Sequence, residues 1–97
     1  MRFGKVADEL LRLAIIDNRL GRELTKEQEI LLLMGDGEWH SARELTLKVS
    51  HRFGGYLHTL KEKGVWWEKR RDETAPKGKV WYLYRLVRND GGQGGLL

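Results

Sequence analysis

The chain of 97 residues contains no cysteine and a single proline. Without cysteine it can form no disulfide bond, and it offers neither a thiol nucleophile nor a cysteine ligand for zinc. No apolar run approaches the roughly 20 residues that cross a bilayer. The apolar stretch 10–16 is interrupted by Arg12 and preceded by Asp8 and Glu9, which is unlike a signal peptide. We therefore expect a cytoplasmic domain that has no membrane association and no cofactor.

Residue combinations typical of enzymes are also missing. The histidines His40, His51 and His58 lack the spacing to nearby carboxylates that a metal site needs. The glycines near the end of the chain are followed by neither a helix nor a lysine, so they do not form a phosphate-binding loop. Ser50 precedes His51 directly, which directs the two side chains apart and leaves no acid to orient the histidine. We predict no catalytic residues and no metal site, and hence no enzyme.

Charge is distributed unevenly along the chain. Residues 1–47 carry seven Lys/Arg and nine Asp/Glu, whereas residues 48–97 carry eleven and five, so the net charges are −2 and +6. A basic half beside a mildly acidic half is typical of a protein with one face that meets a polyanion. A solvated surface with uneven charge would give the same numbers, so charge alone leaves both interpretations open.

The first predicted helix, residues 5–19, has an unusually wide apolar surface. The stripe expected to face the core consists of Val6, Leu10, Leu13 and Leu20. Ala7, Leu11 and Ile15 continue the apolar arc to roughly twice the ~100° that a helix lying on one core needs. Either a second copy of the chain covers the excess, in a homodimer formed through this helix, or the helix is buried on two sides within its own domain.

Capping signals locate the next two helices. Thr25 and Gln28 have the spacing of a capping box, which predicts a second helix from Thr25 to Gly35. Ser41 and Glu44 repeat the same spacing and predict the start of a third helix. The solid apolar run near the end of the second helix indicates that this helix is central to the fold.

The fourth predicted helix follows a short turn. Ser50 breaks the preceding pattern and is expected to cap this helix, which runs to about Lys63 and is closed by Gly64. The residues expected to face the core are Phe53, Leu57 and Leu60.

Extended segments complete the pattern. A short piece at 39–40 precedes the third helix, and two runs rich in strand-forming residues, 65–71 and 79–87, flank a polar turn. Two such runs around a turn predict a β-hairpin. Because side chains alternate along a strand, Trp66 and Trp67 must lie on opposite faces, so they cannot both enter one core.

This order of elements resembles the winged helix-turn-helix family over residues 25–88. The resemblance rests on residues 50–65, SHRFGGYLHTLKEKGV, whose apolar spacing and glycine stop match a recognition helix, and on Tyr84-Arg85-Leu86, which is similar to the last strand of the family. The segment beginning Arg52-Phe53 is similar to small winged-helix proteins of phages and bacteria. The resemblance implies an α+β fold with a three-helix core and a hairpin wing, to which this chain adds an N-terminal helix.

We accordingly divide the chain into three parts. Residues 1–22 form the N-terminal helix, a candidate dimerisation element, residues 23–88 the winged domain, and residues 89–97 a flexible glycine-rich tail. The family resemblance implies binding to double-stranded DNA, with the fourth helix in the major groove and the wing on the backbone or minor groove. A transcriptional regulator that acts by occupying a site is the expected function.

The candidate DNA contacts fall on two elements. Those of the recognition helix are His51, Arg52, Gly55, His58 and Thr59. Those of the wing are Lys69, Arg70, Arg71, Lys77 and Lys79. Arg52 is the strongest candidate for contacting a base, because a guanidinium can pair with both acceptors of a guanine. The wing cations are expected to neutralise phosphates, although lysines on a hairpin also serve to protect an exposed strand.

One feature argues against sequence-specific recognition. Gly54 and Gly55 occupy positions where many recognition helices carry long polar side chains. Either the sequence specificity is modest, or this helix faces a protein. A winged-helix module for protein–protein docking is therefore the alternative function.

Overall fold

A computed structural model describes residues 3–88 and contains four helices and a three-stranded antiparallel sheet. The helices are α1 (Lys5–Arg19), α2 (Lys26–Met34), α3 (Ala42–Lys48) and α4 (Phe53–Glu62). The strands are β1 (His40–Ser41), β2 (Trp67–Arg71) and β3 (Tyr82–Leu86), and β3 lies between the other two. This composition confirms the α+β part of the predicted fold class. The predicted tail, 89–97, lies outside the described residues.

A single hydrophobic core joins the helices to the sheet. The largest fully buried side chains are Phe3, Ile30, Met34, Leu45, Leu57, Leu60, Val65 and Leu86. Four of them come from α2 (Ile30 and Met34) and α4 (Leu57 and Leu60), in agreement with the predicted central position of α2. Phe53 packs against this core while partly buried. Among residues 3–88, no helix has the length and apolar character needed to cross a membrane.

The helix α1 turns a different face to the core from the one that the sequence pattern predicts. Its buried residues are Ala7 and Ala14, and small side chains allow two helices to approach closely. The exposed apolar residues of α1 and its C-terminal cap are Val6, Leu13, Ile15, Ile16 and Leu20. The prediction of the inward stripe was wrong for three of its four residues, because hydrophobicity alone ranks leucine above alanine and takes no account of helix separation.

Leu11 belongs to the domain's own core. It is partly buried and packs against the core cluster. A Cβ atom at Gly35 would lie 3.2 Å from both terminal methyl carbons of Leu11 and 2.9 Å from the carbonyl oxygen of Leu31, so only glycine leaves room for this contact. Leu11 therefore packs within its own domain, whereas Ile15, the other residue of the predicted subunit interface, is exposed, and the homodimer stays a prediction.

The capping signals are confirmed for α2 and half confirmed for α3. The Thr25 hydroxyl accepts a hydrogen bond from the Gln28 amide at 3.1 Å, and the Gln28 side chain accepts one from the Thr25 amide at 3.0 Å. The Ser41 hydroxyl accepts from the Glu44 amide at 3.0 Å. The Glu44 carboxylate, however, lies 3.0 Å from the His40 ring rather than returning to Ser41. The second half of the predicted box is absent because a buried histidine competes for the carboxylate.

The fourth helix begins later than predicted. The helix starts at Phe53, and Arg52 at its N-terminal boundary makes no capping hydrogen bond through its side chain. Ser50 does not cap the helix. It organises the turn before it, since its hydroxyl accepts from the Arg52 amide at 3.1 Å and its carbonyl accepts from the Phe53 amide at 3.1 Å. Gly64 ends the helix as predicted, with a φ of +106° that other residues rarely adopt.

The hairpin is confirmed, with shorter strands than predicted. The connecting loop has hydrogen bonds of its own, beginning with the Asp72 amide, which donates to the Trp81 carbonyl at 2.8 Å. These hydrogen bonds hold in the loop residues that the sequence pattern assigns to the ends of the strands. The short segment β1 lies one residue later than predicted and pairs with β3. Trp66 is largely exposed and Trp67 half-buried, as their alternation requires.

Candidate nucleic-acid interface

The structure divides the candidate recognition residues between two elements. His51 and Arg52 lie exposed in the turn between α3 and α4 rather than on the helix. Gly55, His58 and Thr59 lie on α4. The Thr59 hydroxyl donates to the Gly55 carbonyl at 3.1 Å, so its proton is already used within the helix. Among these five residues, the free polar side chains are therefore those of the turn residues His51 and Arg52.

Arg52 and His58 have different electrostatic surroundings. His58 Nε2 lies 3.4 Å from a carboxylate oxygen of Glu62, and both side chains are well exposed. Arg52 forms no ion pair within residues 3–88. Its guanidinium keeps all its donors for an external acceptor, which suits it to a base or a phosphate.

The strand register places the wing cations on two faces. Lys69 lies opposite Tyr84 and Arg71 opposite Tyr82, whereas Arg70 belongs to the alternate set of positions. The face that carries Lys69 and Arg71 is also the face of Trp67 and Leu86, which packs toward the helices. The structure thus brings Lys69 and Arg71 together and separates Arg70 from them.

Arg70 is held on the outer face of the sheet by stacking. Its guanidinium carbon lies 4.5 Å from the centre of the Trp39 ring, and that of Arg85 lies 4.4 Å from the same ring. The Arg85 Nε atom also lies 2.8 Å from a carboxylate oxygen of Glu68, directly across the strands. Cation–π contacts and this ion pair occupy Arg70 and Arg85 within the domain.

Contacts between α4 and the hairpin bring a further cation to the same side as Lys69. Phe53 meets Tyr84 edge to face, with 5.4 Å between ring centres. Trp67 donates from Nε1 to the Leu57 carbonyl at 2.7 Å, and the Lys61 ammonium lies 4.3 Å from the centre of the Trp67 ring. Lys61 is not among the residues predicted from the sequence. Its spacing could have predicted it, because Lys61 follows the core residue Leu57 by four positions and so lies on the side of α4 that the hairpin covers.

A set of five residues results, four cations and His51, and we call it the cationic face. Its members are His51, Arg52, Lys61, Lys69 and Arg71. The Lys69 ammonium lies 4.7 Å from the centre of the Tyr82 ring, which orients it along the strand. Burial, and secondarily the neighbouring Tyr82, raises the pKa of Tyr84 above its ordinary value, so this phenol stays neutral and adds no negative charge beneath the cations.

The loop at the tip of the hairpin carries the other two wing lysines. Lys77 and Lys79 are exposed, and they line a shallow surface with Arg71. Asp72 at the base of the loop accepts from both the hydroxyl (2.6 Å) and the amide (3.0 Å) of Thr74. These hydrogen bonds hold the pKa of Asp72 below its ordinary value. The carboxylate is therefore a fixed part of the loop framework that supports the lysines.

His40 has carboxylate neighbours that its sequence spacing did not predict. The ring is buried, with Nε2 2.9 Å from Asp36 Oδ1 and Nδ1 3.0 Å from Glu44 Oε1. Burial acts to lower the pKa of His40, but hydrogen bonds and charge from Asp36 and Glu44 outweigh it and hold the pKa above the ordinary value. No group of three or more His, Asp or Glu residues within 3–88 could hold a metal ion. His40 instead joins the turn after α2 to α3.

Comparison with known proteins adds no relative: no family model, curated protein or solved structure matches this chain.

Proposed function

We propose that this domain is a winged helix-turn-helix that binds double-stranded DNA through the cationic face. In this arrangement α4 approaches the major groove, while the hairpin follows the phosphate backbone or the minor groove. The observation that carries the proposal is the gathering of cations from three separate segments: the α3–α4 turn, α4 and β2. The contacts of Phe53 with Tyr84 and of Lys61 with Trp67 position these segments against one another.

The nearby carboxylates do little to neutralise this face. Glu62 is close to His58, and Asp72 is bound within its loop. Glu68 lies on the outer face of the sheet with Arg85. A polyanion that meets the cationic face therefore encounters net positive charge, and neutralising each phosphate releases counterions, which favours binding.

We expect phosphate contacts to supply most of the affinity. Arg52 and Arg71 are the side chains of the face that can make a bidentate guanine contact, and Arg52 is the one beside α4, the helix that approaches the major groove in this proposal. Gly54 and Gly55 present no side chain, and the Thr59 hydroxyl is engaged within the helix. Such an interface positions the protein on a duplex but discriminates weakly between sequences. A regulator that acts in the cytoplasm by occupying DNA fits this balance.

Binding to a random-sequence duplex, followed by fluorescence anisotropy across a salt series, tests the proposal. Replacing Lys69 and Arg71 together by glutamine should flatten the log–log salt slope by about 1.8, because each lost phosphate contact removes about 0.9. The matched control replaces Arg22 and Lys26 by glutamine, which removes two cations from exposed ion pairs outside the cationic face. The control should keep the unaltered slope. Equal slopes for both variants would remove the hairpin from the interface.

A protein-docking function is the second candidate, and one groove favours it. An open groove of about 430 Å³ between α3 and the hairpin is lined by Ser41, Ala42, Thr46, Trp81 and Tyr82, among others, and its walls are mainly apolar. Trp81 is 41% exposed there, and large aromatic side chains of this kind anchor protein interfaces. A salt slope near zero for the unaltered protein would contradict DNA binding and favour this alternative.

A further inference from the structure

The helix α1 carries an uncovered apolar stripe. Val6, Leu13 and Leu20 follow one another at intervals of seven residues and are 41%, 47% and 61% exposed. Ile16, which is 43% exposed, fills the gap between the last two. Seven-residue spacing places side chains on one side of a helix, the pattern by which helices pair with each other. The domain's own core uses the neighbouring alanine face, and Val6 borders Gly64 at one end of the stripe, while Leu13, Ile16 and Leu20 stay exposed.

The two flanks of the stripe carry opposite charge. On one side lie Lys5, Arg12 and Arg19, each directly preceding a stripe residue. They are exposed and form no ion pair within residues 3–88. On the other side, Asp17, Glu23 and Glu27 line a groove together with Leu10 and Leu13.

Not all of these carboxylates are equally available. Asp17 binds Arg22 at 3.0 Å, and Glu27 binds Lys63 at 2.6 Å. Glu23 is exposed and has no ion-pair partner among the described residues. The acidic flank therefore presents Glu23 as its free charge, with Asp17 beside the stripe.

This bipolar pattern is complementary to itself in only one orientation. When two copies of α1 pair in parallel about a two-fold axis, the basic flank of each meets the acidic flank of the other. When they pair antiparallel, the basic flanks meet each other, and Lys5 would face Arg19 of the copy. Charges beside an apolar seam set the orientation of paired helices in this way.

We propose that α1 forms a homodimer with α1 of a second copy, in parallel, with Arg19 of each chain close to Glu23 of the other. This proposal does not depend on DNA binding. Because the stripe has four apolar residues, we expect it to bury less than the roughly 800 Å² per partner of a stable interface and to associate in the micromolar range. Glu9 precedes Ile16 by seven residues and so lies in line with the stripe, where it would approach its own copy, so Glu9→Gln should strengthen the dimer.

Sedimentation velocity from about 5 to 300 μM, a span that brackets micromolar association, tests whether the stripe is the interface. The unaltered protein should shift from monomer to dimer, and Leu13→Lys should stay monomeric with an unchanged thermal melt. The matched control is Leu47→Lys, which alters an exposed leucine on α3 and should dimerise normally. A protein that stays monomeric at every concentration would overturn the proposal, even if it bound anionic vesicles through Leu13. So would a dimer that survives Leu13→Lys.

The absence of cysteine allows the orientation to be tested by cross-linking. In a parallel pair, Leu20→Cys should form a disulfide with its own copy on mild oxidation, as should Leu13→Cys. In an antiparallel pair, only Leu13→Cys would do so, because Leu20 would face Val6. Cross-linking of Leu13→Cys alone would overturn the parallel arrangement.

A charge exchange gives an independent check on the same arrangement. Arg19→Glu and Glu23→Lys should each weaken self-association several-fold, because each places like charges across the interface. A mixture of the two variants should form a heterodimer, since both cross-interface contacts are then attractive. If Arg19→Glu strengthened self-association, the helices would be antiparallel and the proposal would fail.

Discussion

Replacing His40 by glutamine should make the protein less stable in a way that depends on pH. The protonated ring bonds to Asp36 at 2.9 Å and to Glu44 at 3.0 Å, and its side chain is 8% exposed. A hydrogen bond to a charged group contributes about 1.5–3 kcal/mol when it is buried. The Asp36 and Glu44 side chains are 52% and 28% exposed, so solvent screens both interactions. We therefore expect a loss of about 2 kcal/mol in total, or roughly 10 °C in Tm for a domain of this size.

The sign of the pH dependence follows from the direction of each shift. The pKa of His40 is raised above its ordinary 6.5, so its contribution is complete below pH 6.5 and is lost as pH rises through the raised value. The pKa values of Asp36 and Glu44 are lowered from 3.8 and 4.5, so their contributions are complete above those values and are lost in acid. The stabilisation by this group of residues should therefore be greatest between about pH 4.5 and 6.5.

Thermal unfolding followed by circular dichroism from pH 5 to 9 tests this reasoning. The Tm difference between the unaltered protein and His40→Gln should be largest near pH 6 and should shrink as pH rises through the raised pKa of His40. The control carries His51→Gln and His58→Gln, which remove the two exposed histidines, and it should keep the pH profile of the unaltered protein. A Tm difference that is the same at every pH would show that His40 acts only by packing, and would refute the proposed charge interaction.

Three further measurements test the fold and the interface. Gly64→Ala should lower the free energy of unfolding in chemical denaturation by about 1–3 kcal/mol, because Gly64 has a φ of +106°. Gly54→Ala should raise it by up to about 1 kcal/mol, since nothing lies within 4 Å of the added methyl group. The opposite ranking would contradict the backbone geometry. Leu60→Ala should cost about 2–5 kcal/mol in the same assay, because Leu60 is fully buried, and a loss below 1 kcal/mol would place it outside the core. Arg52→Ala should cost about 1–3 kcal/mol of binding at a preferred DNA site with little effect on non-specific binding or Tm, and an equal loss on every sequence would make Arg52 a phosphate contact.

Features that depend on neighbours in sequence were predictable. The capping box of Thr25 and Gln28, the glycine stop at Gly64 and the alternation that separates Trp66 from Trp67 are all set by backbone hydrogen bonding and dihedral preferences within a few residues. These local rules were enough to predict four helices and a hairpin. The same alternation rule, applied to β2, would have separated Arg70 from its two neighbours.

Features that depend on packing between elements were decided only by the tertiary structure. The pattern of α1 contains two candidate apolar faces, and the close approach of α2 selects the alanine face, which leaves the leucines exposed. The approach of Asp36 and Glu44 to the His40 ring diverts Glu44 from the predicted capping box. Lys61 joins the other cations because Trp67 packs on α4. In each case the free energy of the contact depends on a tertiary distance or on the burial of a neighbouring residue. Local residue spacing encodes neither of these.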